Sequence, residues 1–218
     1  MVGRYADLAT LVRRAPPRCG DVRLVAIDGP GGAAKSMFAD RLARCVGNAP
    51  IVHTDDFASW DEPIEWWHRL EAEVLGPLER GEPVTYQAYD WVKRQLGEWR
   101  ELPASNVVVL EGVSSARRAV AARLSLAIWV ETPRGARLAR GIARDGEAMR
   151  PQWEQWMAEE DAHYAVDRTR ERADVIVDGA PSIAHEPESE YVRLGPIRVV
   201  SGQSEEKKCL TMPRRSVR

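Results

Sequence analysis

Between Gly29 and Ser36 the chain reads Gly-Pro-Gly-Gly-Ala-Ala-Lys-Ser, a glycine-rich run closed by an amine and a hydroxyl. Those residue types in that order suit the holding of a polyphosphate. Successive backbone N–H groups can point inward at an anion, the lysine ammonium can reach the outer phosphates, and the serine hydroxyl can bind Mg²⁺. A helix starting there adds its dipole. The nucleotide pocket expected from this run is Gly29, Pro30, Gly31, Gly32, Ala33, Ala34, Lys35, Ser36 and Met37. One letter departs from the pattern G-x-x-x-x-G-K-[ST], because Ala34 stands where the pattern has glycine. If that position needs φ > 0, the Ala34 methyl costs about 1–2 kcal/mol; at a helical φ it costs almost nothing.

Carboxylates close two other apolar runs, His53-Thr54-Asp55-Asp56-Phe57 and Val107-Val108-Val109-Leu110-Glu111-Gly112. Beside bound phosphates, an aspartate such as Asp55 can accept a proton from a hydroxyl and touch a metal, and Glu111 can hold Mg²⁺ directly or through water. Taken alone, adjacent aspartates more commonly cap a turn, and a terminal glutamate is an exposed strand end. The loop upstream shifts that balance, since all three features converge on one rim. A basic segment, Arg137 to Asp145, adds Arg137, Arg140 and Arg144 at helical spacing. One helix face can therefore offer guanidinium forks to phosphoryl oxygens, or lie solvated against acids.

Bringing these residues together requires strands that end on one edge. Strand-like apolar runs occur at 22–28, 50–54, 106–110, 126–131 and 174–178, separated by longer polar or helical stretches. Met37, Phe38, Leu42 and Cys45 recur at helical spacing after Lys35, and residues 5–14 form an amphipathic helix closed by Pro16-Pro17. The alternation predicts an α/β fold: a parallel sheet with helices on both faces, three-layer α/β/α, of the P-loop NTPase type, with ligands at the carboxyl ends of the strands. With 218 residues the chain suits one domain. The organisation expected is an N-terminal helix in 1–20 packed on a core of 21–180, followed by a polar tail, 181–218, partly disordered or loosely attached.

Composition narrows the partners. A formal charge of −2 gives no basic footprint for nucleic acid. No apolar run of about 18 residues occurs and charges interrupt the N-terminus, so neither a membrane span nor a secretory leader is expected, and the cytosol is the expected compartment. The three cysteines, Cys19, Cys45 and Cys209, lack metal or disulfide spacing and read as plain thiols. Eight tryptophans fall along the chain; core packing suits most, with stacking on a ligand open to Trp60 or Trp91. His68, His163 and His185 receive no role.

Over roughly residues 22–180 the chain resembles the uridine/cytidine kinase family of P-loop nucleoside kinases. Ile27-Asp28-Gly29 through Ser36 looks like that family's ATP site, and Thr54-Asp55-Asp56-Phe57 resembles its Asp-containing motif, with Asp55 at the catalytic base. Trp60-Asp61-Glu62-Pro63 is similar to the family's Phe-Asp-His-Pro, which gives Asp61 a ribose-binding role by resemblance. Tyr89-Asp90 looks like the Tyr-Asp before the nucleobase contacts, and Leu110-Glu111-Gly112 matches the segment whose Glu helps hold magnesium. The resemblance makes 58–104 an acceptor-binding insertion and 134–152 a lid bearing Arg140 and Arg144, with Arg150 a looser candidate.

The departures concern the acceptor. Where the family has a base-contacting His five residues after the Tyr, this chain has Arg94; the family's following Arg is Leu96, and the aromatic after Phe57 is Ala58. The resemblance thus implies a kinase using ATP or another NTP with Mg²⁺, held by Ser36, Asp55 and Glu111. Its catalytic groups would be Asp55, Lys35, Arg140 and Arg144. Asp61, Tyr89 and Arg94 would meet a small-molecule acceptor, most plausibly a ribonucleoside, and self-association is implied as well. Two alternatives stand beside it: a nucleotide-binding protein with little turnover, and a kinase of a nucleoside monophosphate or non-nucleoside alcohol.

Overall fold

A strand whose side chains are apolar on both faces needs cover on both, and the run Arg23–Asp28 receives it. Val25 and Ile27 point into one core, Leu24 and Ala26 into another, none more than 1% exposed. The computed structural model describes residues 1–60, 62–199 and 208–210. In chain order its first half contains β1 (Val2–Arg4), α1 (Tyr5–Arg14), β2 (Arg23–Asp28), α2 (Lys35–Cys45), β3 (Ile51–His53), α3 (Trp67–Leu70), α4 (Gly76–Arg80), β4 (Val84–Asp90) and β5 (Gln95–Leu102). There follow β6 (Val107–Glu111), β7 (Leu124–Glu131), α5 (Arg134–Asp145), α6 (Arg150–Asp167), α7 (Thr169–Arg172), β8 (Val175–Asp178), β9 (Glu190–Val192), β10 (Ile197–Val199) and β11 (Lys208–Leu210).

Strands β3, β6, β2, β7 and β8 pair in that order into a five-stranded parallel sheet, so the three-layer α/β/α architecture is that expected from the alternation. On one face lie α1 and α2. Tyr5, Leu8, Ala9 and Val12 recur at i, i+3, i+4 and i+7 and pack with Phe38 and Leu42 on Val25, Ile27, Val109 and Ile128. The helix stops because Ala15, extended at ψ 144°, precedes Pro16. On the other face, α3, a wider-wound turn at Glu71–Leu75 and α4 bury Leu70, Val74 and Leu75 against Leu24, Val108 and Leu110. The same region carries the antiparallel hairpin β4–β5. This hairpin falls in the span read from sequence only as an insertion.

The stretch after residue 180 is not loose where it is described. Strand β9 pairs antiparallel with β1, and Tyr191, 4% exposed, sets its ring 5.4 Å from Tyr5 and 5.5 Å from Phe38. Tyr191, Val192 and Ile197 are buried, but three apolar residues in a polar stretch are too few to form a readable period. Residues 200–207 and 211–218 of the expected tail lie outside the described residues. Among the described residues no helix is long and apolar enough to cross a membrane. Replacing Tyr191 by Ala removes a ring from the Tyr5–Phe38–Tyr191 cluster. Urea unfolding should show a loss of roughly 3 kcal/mol with an unchanged m-value.

Candidate active site

Parallel register decides which strand ends meet. Ile27 stands opposite Glu111, and Glu111 opposite His53, so β2, β6 and β3 finish level with one another. From β2 the chain turns through residues 29–34 into α2, with φ of 144° at Gly29, 74° at Gly32 and 75° at Ala34. A Cβ at Gly29 would come within 2.2 Å of the Val130 carbonyl oxygen, and one at Gly32 within 2.8 Å of the Arg137 carbonyl oxygen. Both positions therefore need glycine for conformation and for space. Ala34 has neither exemption, and its left-handed φ and ψ (75°, 26°) carry the methyl penalty of about 1–2 kcal/mol.

The polar groups of the loop are tied to partners in the fold. Lys35, 7% exposed, donates from Nζ to the Pro30 carbonyl at 3.1 Å. The Ala33 carbonyl accepts from Thr132 Oγ1, and Arg140 donates to the carbonyls of Gly32 (3.1 Å) and Gly179 (3.0 Å). The Gly31 N–H donates to both oxygens of Glu160, at 3.0 and 3.1 Å. Met37 is exposed at the mouth.

Next to the loop, the Ser36 hydroxyl donates to Glu111 Oε1 at 3.2 Å, while Glu111 Oε2 meets His53 Nδ1 at 2.7 Å. Burial pushes the Glu111 carboxyl upward, but the bond to His53 and the charges of Lys35 and His53 outweigh it and hold the group below its usual range. The same bond raises His53. Asp55 opens onto the cleft, yet protein walls thin its hydration and raise its pKa; Lys35 opposes the rise and Glu111 adds to it. Asp56 goes the other way, to Arg100 at 2.5 Å and the Tyr86 hydroxyl at 3.3 Å, so the adjacent acids divide into one cleft group and one structural group.

A cleft of about 810 Å³ holds residues 31–37 together with Asp55, Glu111, Arg140 and Arg144. A second recess of about 410 Å³ shares Ala34, Met37 and Arg140 with it and runs to Gly179 and Pro181. The oxygen donors of Ser36, Asp55 and Glu111 suit Mg²⁺. Among the described residues no three His, Cys, Asp or Glu side chains form a metal cage of their own.

The acceptor residues expected from sequence are only partly gathered. Trp60, Trp91 and Trp156 line one end of the cleft, with the Trp60 and Trp156 rings 5.3 Å apart. Trp60 Nε1 donates to the Trp91 carbonyl, and Trp91 Nε1 to the Asp55 carbonyl, each at 3.0 Å. Tyr89 and Arg94 do not line the cleft: Tyr89 lies edge-on to Trp91 at 5.3 Å, and Arg94 is drawn over the Trp60 ring at 4.5 Å. Asp61 lies outside the described residues. On α5, Arg140 and Arg144 face the cleft, Arg144 bonded to Asp145 at 2.8 and 2.9 Å, whereas Arg137 is 5% exposed beneath them. A single face presenting all three arginines is thus corrected, because the helix also packs on the loop. Arg150 pairs with Glu147, outside the cleft lining.

Sequence reading gave no role to His53, Glu160 or Asp28. His53 sits in the very run that flagged Asp55, and parallel register brings it to Glu111. Asp28 is fully buried and accepts from the amides of Gly29, Ser114 and Ala116 (2.6, 2.9 and 2.7 Å) and the Tyr164 hydroxyl (2.7 Å). Burial pushes it up to about 6 although these bonds pull it down.

No family model matches the chain. It is similar to the uridine kinase of Borrelia garinii, 22% identical over 192 residues that cover 78% of this chain and 91% of that protein. The uridine kinase of Borreliella burgdorferi is 23% identical over the same shares. Among solved structures, a possible uridine kinase from Bacillus stearothermophilus superposes with a TM-score of 0.57 at 17% identity, covering 79% of this chain and 96% of that one. A candidate fructose transport system kinase from Silicibacter gives 0.56 at 21%, covering 78% and 94%. The likeness to uridine kinase-like P-loop kinases drawn from the motifs thus extends along the chain, and the fold is that of these kinases.

Two measurements test the geometry. Ala34→Gly relieves the left-handed strain against a smaller gain in unfolded-chain entropy, so urea unfolding should show stability rising by up to about 1 kcal/mol. For His53 the folded pKa is raised, so its contribution is present below the unfolded value of about 6.5 and is lost as pH rises through the folded one. Stability should change with pH across that range by a more negative slope in the native chain than in His53→Gln, the difference being the His53 contribution.

Proposed function

We propose that this protein transfers the terminal phosphoryl group of ATP, or of another NTP, to a hydroxyl of a small molecule, with a ribonucleoside such as uridine or cytidine the leading acceptor. The observation that carries the reading is Asp55 in one cleft with Lys35, Ser36 and Glu111, facing Arg140 and Arg144. Similarity to proteins named uridine kinase supports the acceptor class.

In this reading the amides of residues 31–36 and the Lys35 ammonium hold the outer phosphates. Ser36 and Glu111 would hold Mg²⁺, which would neutralise charge on the phosphate oxygens. Asp55 orients the acceptor hydroxyl and takes its proton as the new O–P bond forms and the bond to the β-phosphate oxygen breaks. Arg140 and Arg144 screen the charge spread over the moving group, and most of the rate comes from positioning. Segment 58–104 receives the acceptor and 134–152 serves as the lid, with Asp61 assigned to the acceptor by resemblance alone.

A second reading keeps the reaction and changes the acceptor to a non-nucleoside alcohol. Arg94 favours it, because its guanidinium lies on Trp60 rather than in the cleft, so the position matched to the family's base-contacting His offers a base no hydrogen bond there.

Asp55→Asn should lower kcat by about 10²–10⁴-fold, the usual worth of a positioned base, while calorimetry shows unchanged ATP affinity. Because Asp55 must be ionised and its pKa is raised, the acid limb of kcat/KM should fall above the ordinary aspartate value of about 3.9. Turnover that survives in Asp55→Asn with the same pH profile removes Asp55 as the base.

A further inference from the structure

Among the buried ionisable groups outside the proposed transfer chemistry, Glu160 on α6 and Arg137 on α5 pair beside the loop. Glu160 is 6% exposed, and both of its oxygens accept the Gly31 N–H. Its other close polar neighbour is the Arg137 guanidinium at 3.5 Å, whose Nε has no hydrogen-bond partner. Contact at Gly31 is close enough that a Cβ there would stand 2.8 Å from Glu160 Oε1 and 3.2 Å from the Trp153 ring.

A carboxylate taken out of water needs hydrogen-bond donors and positive charge to replace its hydration. Glu160 takes them from a loop amide, from a guanidinium and from the field of Lys35. These are the donors that a phosphoryl oxygen uses, and a carboxylate oxygen competes for them with the same chemistry. Both anions cannot share the spot, because like charges in a dry site repel strongly. The surroundings also limit where the carboxylate can go. Trp153 of α6 packs so tightly on Gly141 of α5 that a Cβ at Gly141 would lie 2.4 Å from the indole, which closes that side to the carboxylate.

On the premise that the loop binds nucleotide, as proposed above, we infer that Glu160 occupies at Gly31 the place of a terminal phosphoryl oxygen. Incoming nucleotide must expel the carboxylate, and its departure releases Arg137 to bind the terminal phosphate. Glu160 is therefore a competitor built into the fold, and Arg137 a phosphate ligand held in reserve. The discrimination falls on the terminal phosphate, so ATP feels the exchange and ADP much less.

Calorimetric titration of the full chain with a non-hydrolysable ATP analogue and with ADP, in Mg²⁺, tests this for the native protein, Glu160→Gln, Glu160→Ala and Arg137→Gln. If the carboxylate masks the loop in nine of ten molecules, both Glu160 variants should bind the ATP analogue about tenfold more tightly and gain little for ADP. Arg137→Gln should lose affinity for the analogue while its ADP affinity holds. Native binding with no gain, or a loss, in Glu160→Gln overturns the inference and leaves the proposed function standing, since Glu160 would then merely prop the loop. If Glu160→Ala unfolds, the isosteric Gln variant decides; if both unfold, an unchanged ratio of analogue to ADP affinity in Arg137→Gln overturns it. Binding by Glu160→Gln alone supports masking, and no nucleotide binding by any variant refutes the loop's role and this inference together.

Discussion

Everything in the site depends on backbone packed directly against backbone around the loop after β2. Three glycines mark the contacts: a Cβ would meet the Val130 carbonyl at Gly29, the Arg137 carbonyl at Gly32 and, from the far side, the Ala33 carbonyl 2.1 Å from Gly179. With no side chains between them, the end of β2, the start of α5 and the end of β8 fix one another to within the tolerance of a van der Waals contact. Within it Lys35 and Arg140 rest on loop carbonyls, and the Gly31 N–H is turned to Glu160.

Within that frame a single buried ammonium is surrounded by acids whose environments push them apart. His53 and Lys35 hold Glu111 below its usual range, whereas thinned hydration raises Asp55 at the cleft and burial raises Glu160. Separated protonation behaviour among neighbouring carboxyls is how one pocket assigns different tasks to chemically identical groups. Glu111 suits a fixed anionic ligand, and Asp55 a proton acceptor. Glu160, held by the Gly31 amide, is the carboxylate that the inferred exchange would displace.

Much of this was legible in the residues. The five sheet strands sit within two residues of their apolar runs, and of the α1 stripe Tyr5, Leu8, Leu11 and Val12 all but the half-buried Leu11 are buried, because period and burial are linked by geometry. Lys35, Ser36, Asp55 and Glu111 meet as their positions at strand ends imply. What sequence could not supply was tertiary partnership. His53 matters through its register neighbour on β6, and Glu160 through Gly31, 129 residues away. Spacing placed Arg137 with Arg140 and Arg144, yet only packing against the loop reveals that it faces inward. Likewise the left-handed turn at Ala34 depends on what surrounds the loop, not on the residue's own preference.

The bond from Trp91 to the Asp55 carbonyl has a wider meaning. It fastens the β4–β5 hairpin to the main chain at position 55 and leaves that residue's carboxylate unencumbered. The hairpin is in effect an exchangeable cassette on a common anchor. Its tip stands in solvent, where Val92 is 93% accessible. Under the kinase reading proposed above, sequence change confined to that tip would alter what the cleft admits while the Asp55 carboxylate kept its place.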